Sequence, residues 1–104
     1  MEDNQLTINT CIPPDRNPRK PKIVLPKGSV DTHVHIFEKQ FPLFEGRGYN
    51  PPESTLRDLK YLHEVLGIDR VVFTQPSVYG VDNSAILKGI NELNESNESR
   101  ARGV

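Results

Sequence analysis

Ser29-Val30-Asp31-Thr32-His33-Val34-His35-Ile36-Phe37 is the stretch on which the reading of this chain turns. Val30, Thr32, Val34 and Ile36 alternate with Asp31, His33, His35 and Phe37. Alternation with period two, rich in β-branched residues, predicts a strand with one apolar face and one face carrying the acid and both histidines. A Pro/Gly loop, Lys39 to Pro52, follows. Beyond it Leu56, Leu59, Leu62, Val65 and Leu66 recur at helical spacing. Ser54 or Thr55 can cap that helix, with Asp58 in position to close a capping box on Thr55. Gly67 then Ile68 predicts a glycine-terminated stop with Ile68 folding back onto the helix.

The next run, Arg70 to Gln75, is short, β-branched and apolar enough for a buried strand, and Pro76 ends it. After the turn Pro-Ser-Val-Tyr-Gly-Val-Asp, Asp82 or Asn83 can cap a second helix bearing Ile86, Leu87, Ile90 and Leu93. The order strand, loop, helix, strand, loop, helix implies an α/β chain with a parallel strand pair. Two parallel strands with two helices make a poor free-standing unit, because parallel sheets expect cover on both faces. Either oligomerisation or a larger α/β domain is therefore expected.

Composition narrows the function classes. The 104 residues hold 13 Lys plus Arg against 14 Asp plus Glu, for a net charge of -1. A nucleic-acid-binding domain would normally show a basic excess, so no nucleic-acid partner is expected. No apolar run reaches the roughly 20 residues of a membrane-spanning helix, so no membrane partner is expected. The polar start lacks the features of a secretory signal, and a single cysteine, Cys11, fits a reducing compartment; the expected location is cytoplasmic. Residues 1–28 carry five of the nine prolines and no apolar period, and they read as an extended Pro-rich arm ahead of a domain at 29–104. Arg16, Arg19, Lys20 and Lys22 in this arm read as solvated, since prolines and acids interrupt the run.

The sharpest chemistry lies at His33 and His35. Residues i and i+2 of a strand share a face, so the imidazoles converge at the strand's C-terminal end. Two readings stand. The pair is half of a transition-metal site, most naturally zinc, or two polar residues hydrogen-bonded to loop backbone. Ser77 and Tyr79 offer hydroxyls after the second strand, but the residues alone favour a turn shaped by Pro76 and Gly80, with Ser77 in a local hydrogen bond. Arg47 and Tyr49 lie in the first strand-to-helix loop, where they either face a carboxylated ligand or pack the loop. His63 reads as a surface or helix-packing residue, and Cys11 as a bystander.

Four blocks in order and spacing carry a resemblance: Lys27 to Phe37, Tyr49-Asn50-Pro51-Pro52, Leu66 to Val72, and Gln75 to Asn83. Together they resemble the amidohydrolase superfamily, in the branch that contains 2-pyrone-4,6-dicarboxylate lactonase and galactarolactone isomerase. The resemblance covers roughly residues 22 to 90. It implies the first two β/α units of a (β/α)8 TIM barrel, incomplete, with Arg102-Gly103-Val104 leading into a third strand. It implies that His33 and His35 are catalytic and ligate a divalent metal in most branches, while some members of this branch do without one. It implies that Tyr49 and Ser77 hold substrate carboxylate or lactone oxygen. Asp31 is expected to support His33. The implied activity is hydrolysis of a carboxylated lactone by an attacking water, with a lactone isomerase or a decarboxylase as alternatives. Because the catalytic aspartate and carboxylate-binding arginines would come from later strands, the chain alone is expected to be inactive. A non-catalytic interaction fragment that docks on the remainder of a barrel, or a truncated product, is the other class.

Overall fold

The structure is a computed structural model that describes residues 9–95 and 99–104; residues 1–8 of the arm lie outside the described residues. In chain order the elements are β1 (Asn9–Thr10), β2 (Val30–Val34), β3 (Tyr49–Asn50), α1 (Leu56–Leu66), β4 (Arg70–Phe73), a 3-10 turn (Ser77–Tyr79), α2 (Ser84–Leu93) and β5 (Ala101–Gly103). β2, β4 and β5 form a parallel sheet in that order. β1 and β3 make a separate two-residue parallel pairing, which fastens the start of the arm to the first loop. Farther along the arm, Arg16 donates to the carbonyl of Glu53 and to the Asp58 carboxylate, so the arm runs against the start of α1.

This architecture corrects the expected barrel. The chain forms a small α/β sheet of three parallel strands with two helices, and no TIM barrel is shown. The reason is that the sheet stays open, with β2 and β5 as its edges, and Ala101–Gly103 supply the third strand where Arg102-Gly103-Val104 were expected to lead into one. Val71 donates to Arg100 O, Val104 to Phe73 O and Gln75 to Val104 O, at 2.8 to 2.9 Å. β4 is thereby hydrogen-bonded on both sides and becomes the central strand, buried at Val71 and Phe73. The marginal two-stranded unit anticipated from the sequence does not arise.

Local chemistry sets the helix boundaries. Thr55 accepts from the Asp58 N–H while Asp58 accepts from the Thr55 N–H, a complete capping box. That backbone hydrogen bond is the main reason the Asp58 carboxyl titrates below its usual range; burial opposes it and Arg16 adds to it. At the other end Gly67 takes φ +80°, and both Gly67 and Ile68 donate to His63 O. For α2, Asn83 occupies the capping position without a side-chain bond. Asp82 instead accepts from the Ser84 N–H and hydroxyl.

β2 departs from strict alternation. Asp31 pairs with Val71 and Val34 with Phe73, so Thr32 and His33 together lie opposite Val72 alone. This is a β-bulge, and it reverses which face the alternation serves. Laterally paired residues share a face, so Asp31 and Val34 both join Val71 and Phe73 on the helix-covered side. Val30, expected to be apolar core, lies on the other face and is 41% exposed. His33 and His35 also lie on that open face, flanking buried Val34 and followed by buried Ile36.

The core is built around Phe73, fully buried beneath α2. Gly89 is where the helix meets it: a Cβ there would stand 2.8 Å from Phe73 Cζ and 3.0 Å from Cε2. Leu87, expected to be core, is 54% exposed, because Ala85, Ile86, Gly89 and Leu93 form the buried stripe. Gly89→Ala is therefore expected to destabilise the chain. The helix-propensity gain of about 1 kcal/mol loses to an overpacking cost of about 1–3 kcal/mol, because a fully enclosed ring has nowhere to move. Chemical denaturation should show that loss, and Phe73→Leu should relieve it. An equal effect of Gly89→Ala in both backgrounds would show that the ring is not the obstacle.

Candidate functional site

The site starts from the open face at the C-terminal end of β2. The His33 and His35 ring centroids are 5.0 Å apart with planes at 87°. His33 is exposed and His35 half-buried. His35 Nδ1 lies 2.8 Å from Thr74 O. A carbonyl only accepts, so Nδ1 carries a proton, and whenever the ring holds one proton the lone pair is on Nε2. Thr74 is fixed in turn, since its N–H donates to Val34 O at 2.8 Å. A line of rings continues from the pair: His35 to Phe37 at 5.9 Å, Phe37 to Tyr79 at 6.2 Å and Tyr79 to Phe41 at 6.3 Å.

Tyr79 is buried, and its hydroxyl donates to Ile36 O at 3.2 Å and accepts from the Glu38 N–H. Burial is the main cause that holds its phenol above the usual value. Tyr79 therefore ties the 3-10 turn to the segment that carries His35. Beside it, Phe37, Leu43, Pro51 and Pro52 line a cavity of about 170 Å³, below the roughly 300 Å³ at which small-molecule sites begin. A larger depression, about 700 Å³, lies between Pro13, Arg16 and the start of α1. Volume alone thus does not choose the site; the imidazole pair does.

The other residues expected at the site fall elsewhere. Tyr49 is half-buried in β3 and packs against the core, and burial, reinforced by Cys11, raises its phenol. Ser77 is exposed on the 3-10 turn. Among the described residues no hydrogen bond joins either of them to an imidazole. Asp31 does not support the His33 ring. Its Oδ2 accepts from His63 Nε2 at 3.0 Å, and only the His33 backbone N–H reaches Oδ1, at 3.4 Å. His63 is 3% exposed and is the buried polar residue of the core, so helix packing is its place.

Sequence reasoning did not single out Glu38, which organises the loop behind the site. Its side chain is 7% exposed. Oε2 accepts from the Leu56 N–H at 2.7 Å, while Oε1 accepts from Lys88 Nζ at 2.7 Å and Gln40 Nε2 at 2.8 Å. One carboxylate thus joins the loop after β2, the first turn of α1 and the middle of α2. No local motif announces it, because Leu56 and Lys88 are distant in sequence.

The donor set bears on a metal. A catalytic zinc site draws three protein ligands. Two imidazoles converge here, and among the described residues no group of three His, Cys, Asp or Glu does so. The residues present do not by themselves fit a metal centre.

The chain's relatives are lactone-acting enzymes. It is 39% identical over 99 residues to a 4-sulfomuconolactone hydrolase of Rhizobium radiobacter, covering 89% of this chain and 32% of that one. It is 37% identical to a 2-pyrone-4,6-dicarboxylate hydrolase of Comamonas testosteroni (85% and 28%) and 33% identical to a D-galactarolactone isomerase of Agrobacterium fabrum (73% and 27%). A crystal structure of an Agrobacterium tumefaciens protein in its apo state superposes with a TM-score of 0.70 at 32% identity, over 81% of this chain and 30% of that one. The chain spans about three-tenths of the length of the curated relatives it matches. No protein-family model matches it, so the amidohydrolase resemblance rests on the blocks quoted above. Among the described residues no helix is long and apolar enough to cross a membrane.

Glu38 provides the stability test. Burial opposes its ionisation, but the Leu56 N–H, Lys88 and Gln40 outweigh burial and hold the carboxyl below its usual range. A depressed carboxyl stabilises the fold above its unfolded pKa, and that contribution is lost as pH falls through the folded value. Glu38→Gln should therefore cost about 1–3 kcal/mol at neutral pH. In denaturation measured against pH, the gap to the parent chain should close under acid conditions. A gap that stays constant into acid would refute the charged tie.

Proposed function

We propose that the open face around His33 and His35 contacts the lactone in a lactone-acting hydrolase, with a carboxylated lactone as substrate. The observation that carries this reading is the imidazole pair at the end of β2, its His35 member held by Thr74, in a chain related over most of its length to lactone hydrolases. The chemistry follows from the tautomer. Neutral His35 offers a lone pair at Nε2, suited to take a proton from a water that attacks the lactone carbonyl. The new C–O bond forms as the ring C–O bond breaks. The ring oxygen leaves as a hydroxyl once it takes up a proton, and the carbonyl carbon ends as a carboxylate. His33, at the ring edge of His35, lies beside that oxygen's path; when protonated it would donate to it. Tyr49 and Ser77 are proposed to reach the substrate's carboxylate or lactone oxygen from their loops. A divalent metal, zinc first, is proposed for the same face only with ligands in addition to these two imidazoles.

Isomerisation is the second reading, favoured by the galactarolactone isomerase relative. There the same lone pair would accept a proton and return it with no water consumed.

The test is binding. A lactone dicarboxylate added to the purified chain should shift the His33 and His35 ring resonances. His35→Ala should weaken the interaction by about twofold to tenfold, the worth of one neutral hydrogen bond. No ring response, or equal binding by the variant, would sink the reading. Product analysis separates an opened ring from a rearranged one.

A further inference from the structure

We propose that the depression among Lys27, Arg70 and Arg100, at the N-terminal end of the sheet, binds a small, doubly charged oxyanion of the phosphate or dicarboxylate type. The depression measures about 520 Å³ and is lined by these three cations with Gly28 and Asp69. Among the described residues, three positive groups face one carboxylate there, in a chain whose net charge is -1. The imbalance is therefore local.

The two guanidinium groups are also fixed. Arg70 donates to Gly28 O from Nε at 2.9 Å and from Nη2 at 2.6 Å. Arg100 donates from Nε to Asp69 O at 3.1 Å. The Asp69 carboxylate is engaged by the Gly28 N–H. These contacts use two nitrogens of Arg70 and one of Arg100, and a guanidinium carries five N–H donors, so both heads have further donors in a set geometry. A planar fork already anchored on a carbonyl loses little freedom when it takes up an oxyanion, which is how preorganised guanidinium sites gain affinity. Gly28 completes the arrangement. It sits at φ +87°, and a Cβ there would lie 3.4 Å from Arg70 Nη2, against the guanidinium that the site needs.

This site does not depend on the lactone reading. Arg70 opens β4, whereas the Thr74 carbonyl that holds His35 lies just past its end. Four residues of strand separate the two by about 13 Å.

Inorganic phosphate titrated into the full chain at constant ionic strength should produce saturable shifts at the backbone amides of Gly28, Asp69, Arg70 and Arg100. Succinate titrated in parallel identifies the head group, and saturable binding of either anion supports the site. Lys27→Gln and Arg100→Gln should each weaken binding by about tenfold. Lys27 is exposed, so its variant keeps the test valid even where Arg100→Gln disturbs β5. Shifts that chloride reproduces equally, or a Lys27→Gln chain that titrates like the parent, would overturn the proposal.

Discussion

The two-against-one stretch of β2, where Thr32 and His33 oppose Val72, is the constraint on which the rest of the molecule depends. A strand without the extra residue would keep Asp31, His33 and His35 on a single face. The bulge separates them. Asp31 turns to the helix side, where buried His63 needs a partner, and an unpaired polar group there would cost about 1–3 kcal/mol. The two other histidines turn to the open face with their rings in contact. One local irregularity thus assigns one polar pair to the core and another to chemistry.

The elements behind the open face are held by polar ties. Glu38 joins the loop to the first turn of α1 and to Lys88 of α2. Tyr79 bonds back to Ile36, next to His35. The antiparallel bridge between Phe37 and Ser54 closes the intervening loop at its root, with hydrogen bonds of 2.7 and 2.9 Å. The position of His35 follows from groups contributed by β4, the 3-10 turn and both helices. A change in any of these would reach the imidazole through a short chain of hydrogen bonds.

Much of this was legible in the residues, where local chemistry is decisive. Thr55, Asp58 and Gly67 mark the ends of α1, and the β-branched run at Arg70 to Phe73 marks a buried strand. The convergence of His33 and His35 follows from period two and survives the bulge, since both flank Val34, which is back in register with Phe73. What was not legible depends on partners far away in sequence. Ala101-Arg102-Gly103 has little strand propensity of its own; only the resemblance pointed to a third strand there, and it forms along the free edge of β4. Alternation cannot reveal a bulge, so by itself it puts Val30 in the core and Asp31 beside His33. Gly89 reads as a weak helix residue until Phe73 is found beneath it. Glu38 looks like an ordinary loop acid until Leu56 and Lys88 close on it.

The most direct test of the division that the bulge imposes is a nitrogen-15 spectrum of the three histidine rings, recorded for the parent chain and for Asp31→Ala. The expected result is a proton on Nδ1 of His35 in both chains, with the His63 ring signals and tautomer balance altered by the variant. A change at the His33 or His35 rings with His63 untouched would contradict it, by showing that Asp31 serves the open face after all.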